Sequence, residues 1–221
     1  TVPSSNLAFP VASLDGNPVA ASNGLTLSPT IPVDKMGPAN IVFVCGGVNV
    51  EQAVTSELLS ALRRLAQRHV SLGSLCTGGY ALAKAGLLDK YKAVIHWENM
   101  SALQEEFPRV IFSDQLFAID RDRFTCTGGI APLDLMLNII KDHLGSDIAP
   151  MISEQFILDR IRNDQDRQHI PLQARVGLFH ENLIEAAALM EANIEEPLSL
   201  DEIAALVGVS RRQIERLFKR Y

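Results

Sequence analysis

Ile41-Val42-Phe43-Val44-Cys45 is apolar at every position, and Gly46-Gly47 follows at once. Successive side chains of a strand point to opposite faces, so a strand apolar on both must be covered on both. That demand selects a sheet held between two layers of helices. The flanking sequence supplies the layers. Val54 to His69 places Leu58, Leu59, Leu62 and Leu65 on one helical stripe, and Ala131 to Leu144 does the same with Leu133, Met136, Leu137 and Ile140. Further strands are predicted at Ala8 to Leu14, Ser71 to Leu75, Ala93 to His96, Leu116 to Ile119 and Phe124 to Thr127. Strands alternating with amphipathic helices define an α/β domain, a three-layer sandwich with a mainly parallel sheet, over residues 1–145.

With 221 residues, 47% of them hydrophobic, and a net charge of −6, the chain is neither disordered nor collagen-like. Its longest apolar run, Ile41 to Val50, is about half of the roughly 20 residues a membrane-spanning helix needs. The first residues have no basic or apolar signal region, so the chain reads as cytoplasmic, with no membrane partner. Cys45, Cys76 and Cys126 are odd in number and far apart, which fits neither a disulfide framework nor a zinc site. No metal or cofactor motif is visible. Thr1 in place of an initiator Met points to a fragment.

After Gly145 the pattern changes. Ile148 to Arg162 reads as a helix, and the polar run Asn163 to Gln168, closed by Pro171, reads as a hinge, so residues 146–180 form a linker. Residues 181–221 are helical without strands. Positive charge collects at the end, on Arg211, Arg212, Arg216, Lys219 and Arg220, while the body is acidic. A basic end suits an anionic partner, and a solvated helix face explains it as well.

Leu183, Ala187, Met190 and Ile194 define an amphipathic helix from Glu181 to Asn193. Two short helices follow, each with a start signal. Ser199-Leu200-Asp201-Glu202 is a capping box with Leu198 and Ile203 as its staple, and Ser210-Arg211-Arg212-Gln213 repeats the device with Val209 and Ile214. Gly208 lets the chain turn steeply between them. On the last helix Ile214, Leu217, Phe218 and Tyr221 form the apolar side, and Arg211, Arg212, Glu215, Arg216 and Lys219 lie opposite, available to bases and phosphates. The arrangement is that of a helix-turn-helix, weighed against a plain three-helix bundle. The stretch Glu181 to Tyr221 closely resembles the first helix-turn-helix of AraC-type transcription regulators. The resemblance implies base reading through Arg212, Glu215 and Arg216. It also implies a linker helix and a second helix-turn-helix beyond Tyr221.

Gly73-Ser74-Leu75-Cys76-Thr77-Gly78-Gly79 marks a turn from strand to helix. A cysteine there feels the positive end of the helix, which favours thiolate, and the following amide can face an oxyanion, as in a nucleophile elbow. Gly46-Gly47 offers a second amide, His96 a base, and Trp97 an aromatic wall. The alternative is a small buried Cys76 and a strand-end His96. Cys45 and Cys126 read as core, and Gly128-Gly129 as a pocket rim or a tight turn. The order strand, Gly-Gly, helix, strand, Cys elbow, His96-Trp97 and Thr127-Gly128-Gly129 resembles the PfpI/ThiJ branch of the class I glutamine amidotransferase-like, flavodoxin-like fold. Cys76-Thr77-Gly78, Ala85-Gly86-Leu87-Leu88 and His96-Trp97 are similar to the sensor domain of GlxA-type regulators. By that resemblance Ala8 to Leu14 matches the second strand of the family, the first strand and helix being absent. Thr77 stands where peptidase-like members carry a histidine.

The resemblance implies a homodimeric regulator that binds a DNA operator and senses a small-molecule effector, an amino acid or quaternary amine, through a non-catalytic site. Gly46, Gly47, Cys76, Thr77, His96 and Trp97 would line that site. The alternative is a PfpI/ThiJ-type hydrolase or amidase in which Cys76 is the nucleophile and His96 its partner.

Overall fold

The computed structural model describes residues 8–168 and 181–220. Residues 8–40 form short pairings in place of one long strand. β1 (Ala12–Ser13) runs parallel to β4 (Ile31–Pro32), and β2 (Val19–Ala20) pairs antiparallel with β3 (Thr26–Leu27). The β2–β3 turn passes through Asn23 and Gly24, with Gly24 at φ +85°. The predicted strand Ala8 to Leu14 is thus reduced to two residues. Val11, just before β1, donates its amide to the Thr30 hydroxyl, and its carbonyl accepts from the Thr30 and Ile31 amides.

β5 (Ile41–Cys45) and β6 (Ser71–Leu75) keep their predicted bounds, and they join β9 (Phe117–Asp120) and β10 (Arg123–Cys126) in a sheet ordered β5-β6-β10-β9. The first three strands are parallel and β9 is antiparallel. In register, Cys45 stands opposite Leu75 and Leu75 opposite Cys126, so the strands end level. Helices α1 (Val50–Ala53), α2 (Ser56–Gln67), α3 (Gly79–Lys84), α4 (Trp97–Glu106), α5 (Ala131–Leu144) and α6 (Ile148–Gln155) complete the unit.

Alternation along β5 sorts its side chains into two layers, as a doubly covered sheet requires. Val42 and Val44 pack with Leu72, Leu62 of α2 and Leu82 of α3. Ile41 and Phe43 face the other way, onto Phe117, Cys126, and Leu135 and Ile139 of α5. The α/β sandwich is therefore present, with a mixed sheet. The buried arc of α5 is wider than its predicted stripe, because Ala131, Asp134, Leu135 and Ile139 are buried as well as Leu137.

Most other bounds shift by one or two residues, and two differ by three or more for physical reasons. β7 (Lys92–Ala93), paired with β8 (Ile111–Phe112), stops short of His96 because the Val94 amide donates to the Thr125 hydroxyl instead of to a ladder carbonyl. Helix α6 ends at Gln155 and not at Arg162, because Ile157 adopts φ +53° and the Leu158 amide reaches back to the Ser153 carbonyl.

The chain divides into two units, residues 1–168 and 169–221. Residues 161–168, predicted to be linker and hinge, belong to the first. Arg162 donates from its backbone amide and its guanidinium to both oxygens of buried Asp134. Downstream, Leu116 N–H donates to the Asp166 carbonyl, Gln168 N–H donates to the Asp114 carbonyl, and Gln115 bridges Arg167. Residues 161–168 are thus fastened to the first unit at several points.

In the second unit, α7 (Glu181–Ala192), α8 (Leu200–Val207) and α9 (Arg211–Arg220) close around Ala186, Ile203, Ala204, Val207 and Ile214. Both start signals are realised. Ser199 Oγ accepts from the Glu202 amide while Glu202 accepts from the Ser199 amide, and Ser210 and Gln213 repeat the exchange. The staples Leu198 with Ile203 and Val209 with Ile214 join the same core. Gly208, at φ +75°, ends α8, with the Val209 amide on the Ala204 carbonyl.

Candidate functional site

Cys76 stands one residue beyond β6 at φ +54°. A non-glycine residue in the left-handed region costs roughly 1–2 kcal/mol. The turn leads through Cys76–Gly78 into α3 and leaves the thiol half-buried. The strained backbone is the geometric mark of an elbow.

Two glycines make the turn possible by close approach. A Cβ on Gly46 would lie 2.2 Å from the Gly78 nitrogen, and one on Gly78 would lie 2.1 Å from the Val44 carbonyl oxygen. The loop after β5 and the elbow therefore interlock without room for a side chain. Thr77 Oγ1 donates to the Gly47 carbonyl at 2.7 Å, fastening the two. Of the two amides that Gly46-Gly47 offers, that of Gly46 is engaged: it donates to the Leu75 carbonyl at 3.2 Å and extends the ladder. Gly46 and Thr77 thus build the wall of the site, and the amide of Gly46 is spent.

His96 and Cys76 meet at Gly128. A Cβ there would lie 3.1 Å from Cys76 Sγ and 3.3 Å from His96 Cδ2, so the missing side chain lets the thiol and the imidazole both come up to this backbone. Gly129, at φ +64°, carries the chain on towards α5. Trp97 opens α4 and lies beside His96, with ring centroids 5.5 Å apart and tilted by 34°. Glu98 Oε2 stands 3.6 Å from His96 Nδ1, beyond hydrogen-bond reach and on an exposed side chain. Sequence reasoning missed Glu98, whose signal is its place in the first turn of an unpredicted helix. Cys126 lies beneath the elbow and is fully buried; burial pushes its thiol up to about 12, so it is an inert core residue.

On α9, Ile214 is buried, while Arg212, Glu215, Arg216 and Lys219 are exposed. Arg211 is engaged: it donates to Glu215 at 2.9 Å and to Asp201 of α8 at 3.0 Å. Phe218, predicted on the apolar side, is 41% exposed, and Tyr221 lies outside the described residues. Among the described residues, no group of three or more His, Cys, Asp or Glu could hold a metal, and no helix is long and apolar enough to cross a membrane.

Residues 4–142 match the model of the DJ-1/PfpI family. The chain belongs to the DJ-1/PfpI family. The elbow at Cys76, the interlocking glycines and His96 all lie within the matched residues. Within it, the chain is 50% identical over 209 residues to the HTH-type transcriptional regulator GbdR of Pseudomonas aeruginosa, covering 95% of this chain and 57% of that protein. It is 36% identical over 207 residues to the HTH-type transcriptional regulator GlxA of Rhizobium meliloti, covering 93% of this chain and 64% of that one. The chain thus spans less than two thirds of either relative. The crystal structure of an AraC family transcriptional regulator from Pseudomonas putida superimposes with a TM-score of 0.64 at 29% identity, over 70% of this chain and 84% of that one.

Proposed function

We propose that this chain is part of a sequence-specific DNA-binding transcription regulator whose DJ-1/PfpI unit senses a small metabolite without catalysing its turnover. The observation that carries the reading is the joining, on one chain, of that unit to three helices whose last presents Arg212, Arg216 and Lys219 to solvent opposite buried Ile214. Exposed guanidiniums on the second helix of a helix-turn-helix are placed for guanine edges and phosphates. The names of the regulators most like this chain support the same reading.

Small amino acids or quaternary amines are the effector class we assign. Half-buried Trp97 offers a cation an aromatic face beside His96, which itself comes up to Cys76 at Gly128. The effector acts by binding two conformations unequally, since equal affinity shifts no population. The regulator works as a homodimer on paired half-sites.

The test is a mobility-shift titration of the full-length protein on genomic fragments, with and without amino acids and quaternary amines. Arg216→Ala is expected to weaken specific binding by about 1–3 kcal/mol, and Cys76→Ala to leave it intact. Absence of specific binding under every effector would overturn the proposal.

One observation favours a second reading, a cysteine-nucleophile hydrolase or amidase: the left-handed backbone of Cys76 beside His96. That reading requires stoichiometric acylation of Cys76 by an activated ester or amide and its release by water.

A further inference from the structure

The chain leaves the first unit through residues 163–168, and this exit segment is bonded to both elements that carry the candidate site. On one side, the buried Gln168 side chain donates from Nε2 to the Ile95 carbonyl at 3.0 Å, one residue before His96. On the other, the Asp166 carbonyl accepts from Leu116, whose own carbonyl accepts from Thr127, one residue before Gly128. His96 and Gly128 are the residues that flank Cys76. The two routes start beside these two residues and end within two residues of each other.

Chance does not readily place a primary amide there. Gln168 is 6% exposed and only its Nε2 is satisfied, by the Ile95 carbonyl, while its Oε1 is buried without a partner among the described residues, so the bond to Ile95 alone offsets the desolvation of this amide. The neighbouring anchors are of another kind: Arg167 to Asp114 is an exposed ion pair, and Arg160 to Asp166 is also open to solvent, so each holds the segment without touching the site.

We infer that Gln168 is a positioning residue of the candidate site, and that occupation of the space over Cys76 is transmitted through the Gln168–Ile95 bond to the segment that leads to the second unit. A group placed between Cys76 and His96 presses on the Ile95–His96 backbone and loosens the bond that Gln168 makes to it. The exit segment then opens at its Asp114 and Leu116 pairings. The inference rests on the regulator reading for its purpose, and its test needs neither DNA nor effector.

The test uses the full-length protein in a Cys45→Ser background, with Cys76 alkylated by iodoacetamide as a defined occupant. Deuterium exchange is followed at the Leu116 and Gln168 amides. Alkylation is expected to speed their exchange roughly fivefold, the equivalent of one net hydrogen bond. In Gln168→Met, and independently in Gln168→Glu, which loses the donor to Ile95, exchange starts raised and alkylation adds nothing. Arg167→Ala raises exchange but still responds, as an anchor outside the route should. In the chain of residues 1–221, whose single tryptophan is Trp97, fluorescence reports the site end directly: acrylamide quenching shifts in the Gln168 variants and stays put in Arg167→Ala. Exchange indifferent to alkylation in the parent protein, or Gln168 variants that respond like the parent, would overturn the inference. Either result leaves operator binding, and with it the regulator reading, to be decided separately.

Discussion

The elbow at Cys76 stores backbone strain, and the sign of that strain can be measured. Both Cys76→Ala and Cys76→Gly remove the sulfur, so the pair differs only in what the backbone tolerates at φ +54°. Alanine there bears a left-handed penalty of roughly 1–2 kcal/mol that glycine does not. Glycine loses about 0.5–1 kcal/mol more conformational entropy on folding. The balance favours Cys76→Gly over Cys76→Ala by about 0.5–1 kcal/mol. At an ordinary helical or extended position the order reverses, with alanine ahead by a similar amount. Urea unfolding followed through Trp97, the single tryptophan, reads the first unit. A midpoint for Cys76→Gly roughly 0.4 M above that of Cys76→Ala is expected. A midpoint for Cys76→Ala equal to or above it would refute the left-handed backbone, and with it the argument that this turn is built to project a thiol.

Three further outcomes are expected. Gly128→Ala places a methyl 3.1 Å from Cys76 Sγ and 3.3 Å from His96 Cδ2 and should slow Cys76 alkylation at least severalfold while the protein stays folded; unchanged alkylation would mean that Gly128 does not border the site. Arg160, and then the Asn163 amide, hold the Asp166 carboxyl down to about 2. Its stabilisation of the exit segment is therefore complete above the ordinary carboxyl value of 3.8 and disappears as pH falls through about 2, which a carboxyl NMR titration checks. Ser199→Ala removes the acceptor for the Glu202 amide and should destabilise the second unit by about 0.5–2 kcal/mol in thermal unfolding, with the first unit unaffected.

Where local chemistry alone decides the structure, the chain is legible. Ile41–Cys45 forms a strand at its predicted bounds because it is apolar throughout and closed by Gly46-Gly47, and Ser71–Leu75 because it is a short stretch stopped by the Cys76-Thr77-Gly78 turn. The starts at Ser199 and Ser210 are legible because the reciprocal bonds span only three residues. What escapes is decided elsewhere. Ile157 and His69 end helices in the left-handed region, where β-branched isoleucine has the least reason to be, so no residue type announces the stop. Asp134 reads as the polar face of α5 until Arg162, far along the chain, pairs with it. Gln168 looks like part of a polar linker because its partner, the Ile95 carbonyl, carries no sequence signature at all. At the site, Cys76, His96, Trp97 and the glycine pairs are legible as residue types, whereas the loss of the Gly46 amide to the ladder follows only from register.

Register of another kind narrows what α9 can read. Arg211 is bound to Glu215 and Asp201, yet all three side chains are about half exposed or more, and such pairs are worth about 0–1 kcal/mol. A cytosine amino group or a phosphate can therefore displace either partner at little cost, and the network does not bar Glu215 or Arg211 from contact. It does bias them. Releasing Glu215 to a base frees Arg211, and a freed Arg211 still reaches Asp201 on α8. Arg212 and Arg216 carry no ion pair among the described residues, so a bidentate contact to guanine breaks nothing first. In the proposed complex the two guanidiniums supply the specificity that any operator must satisfy, and Glu215 adds discrimination only at a position where cytosine outcompetes Arg211.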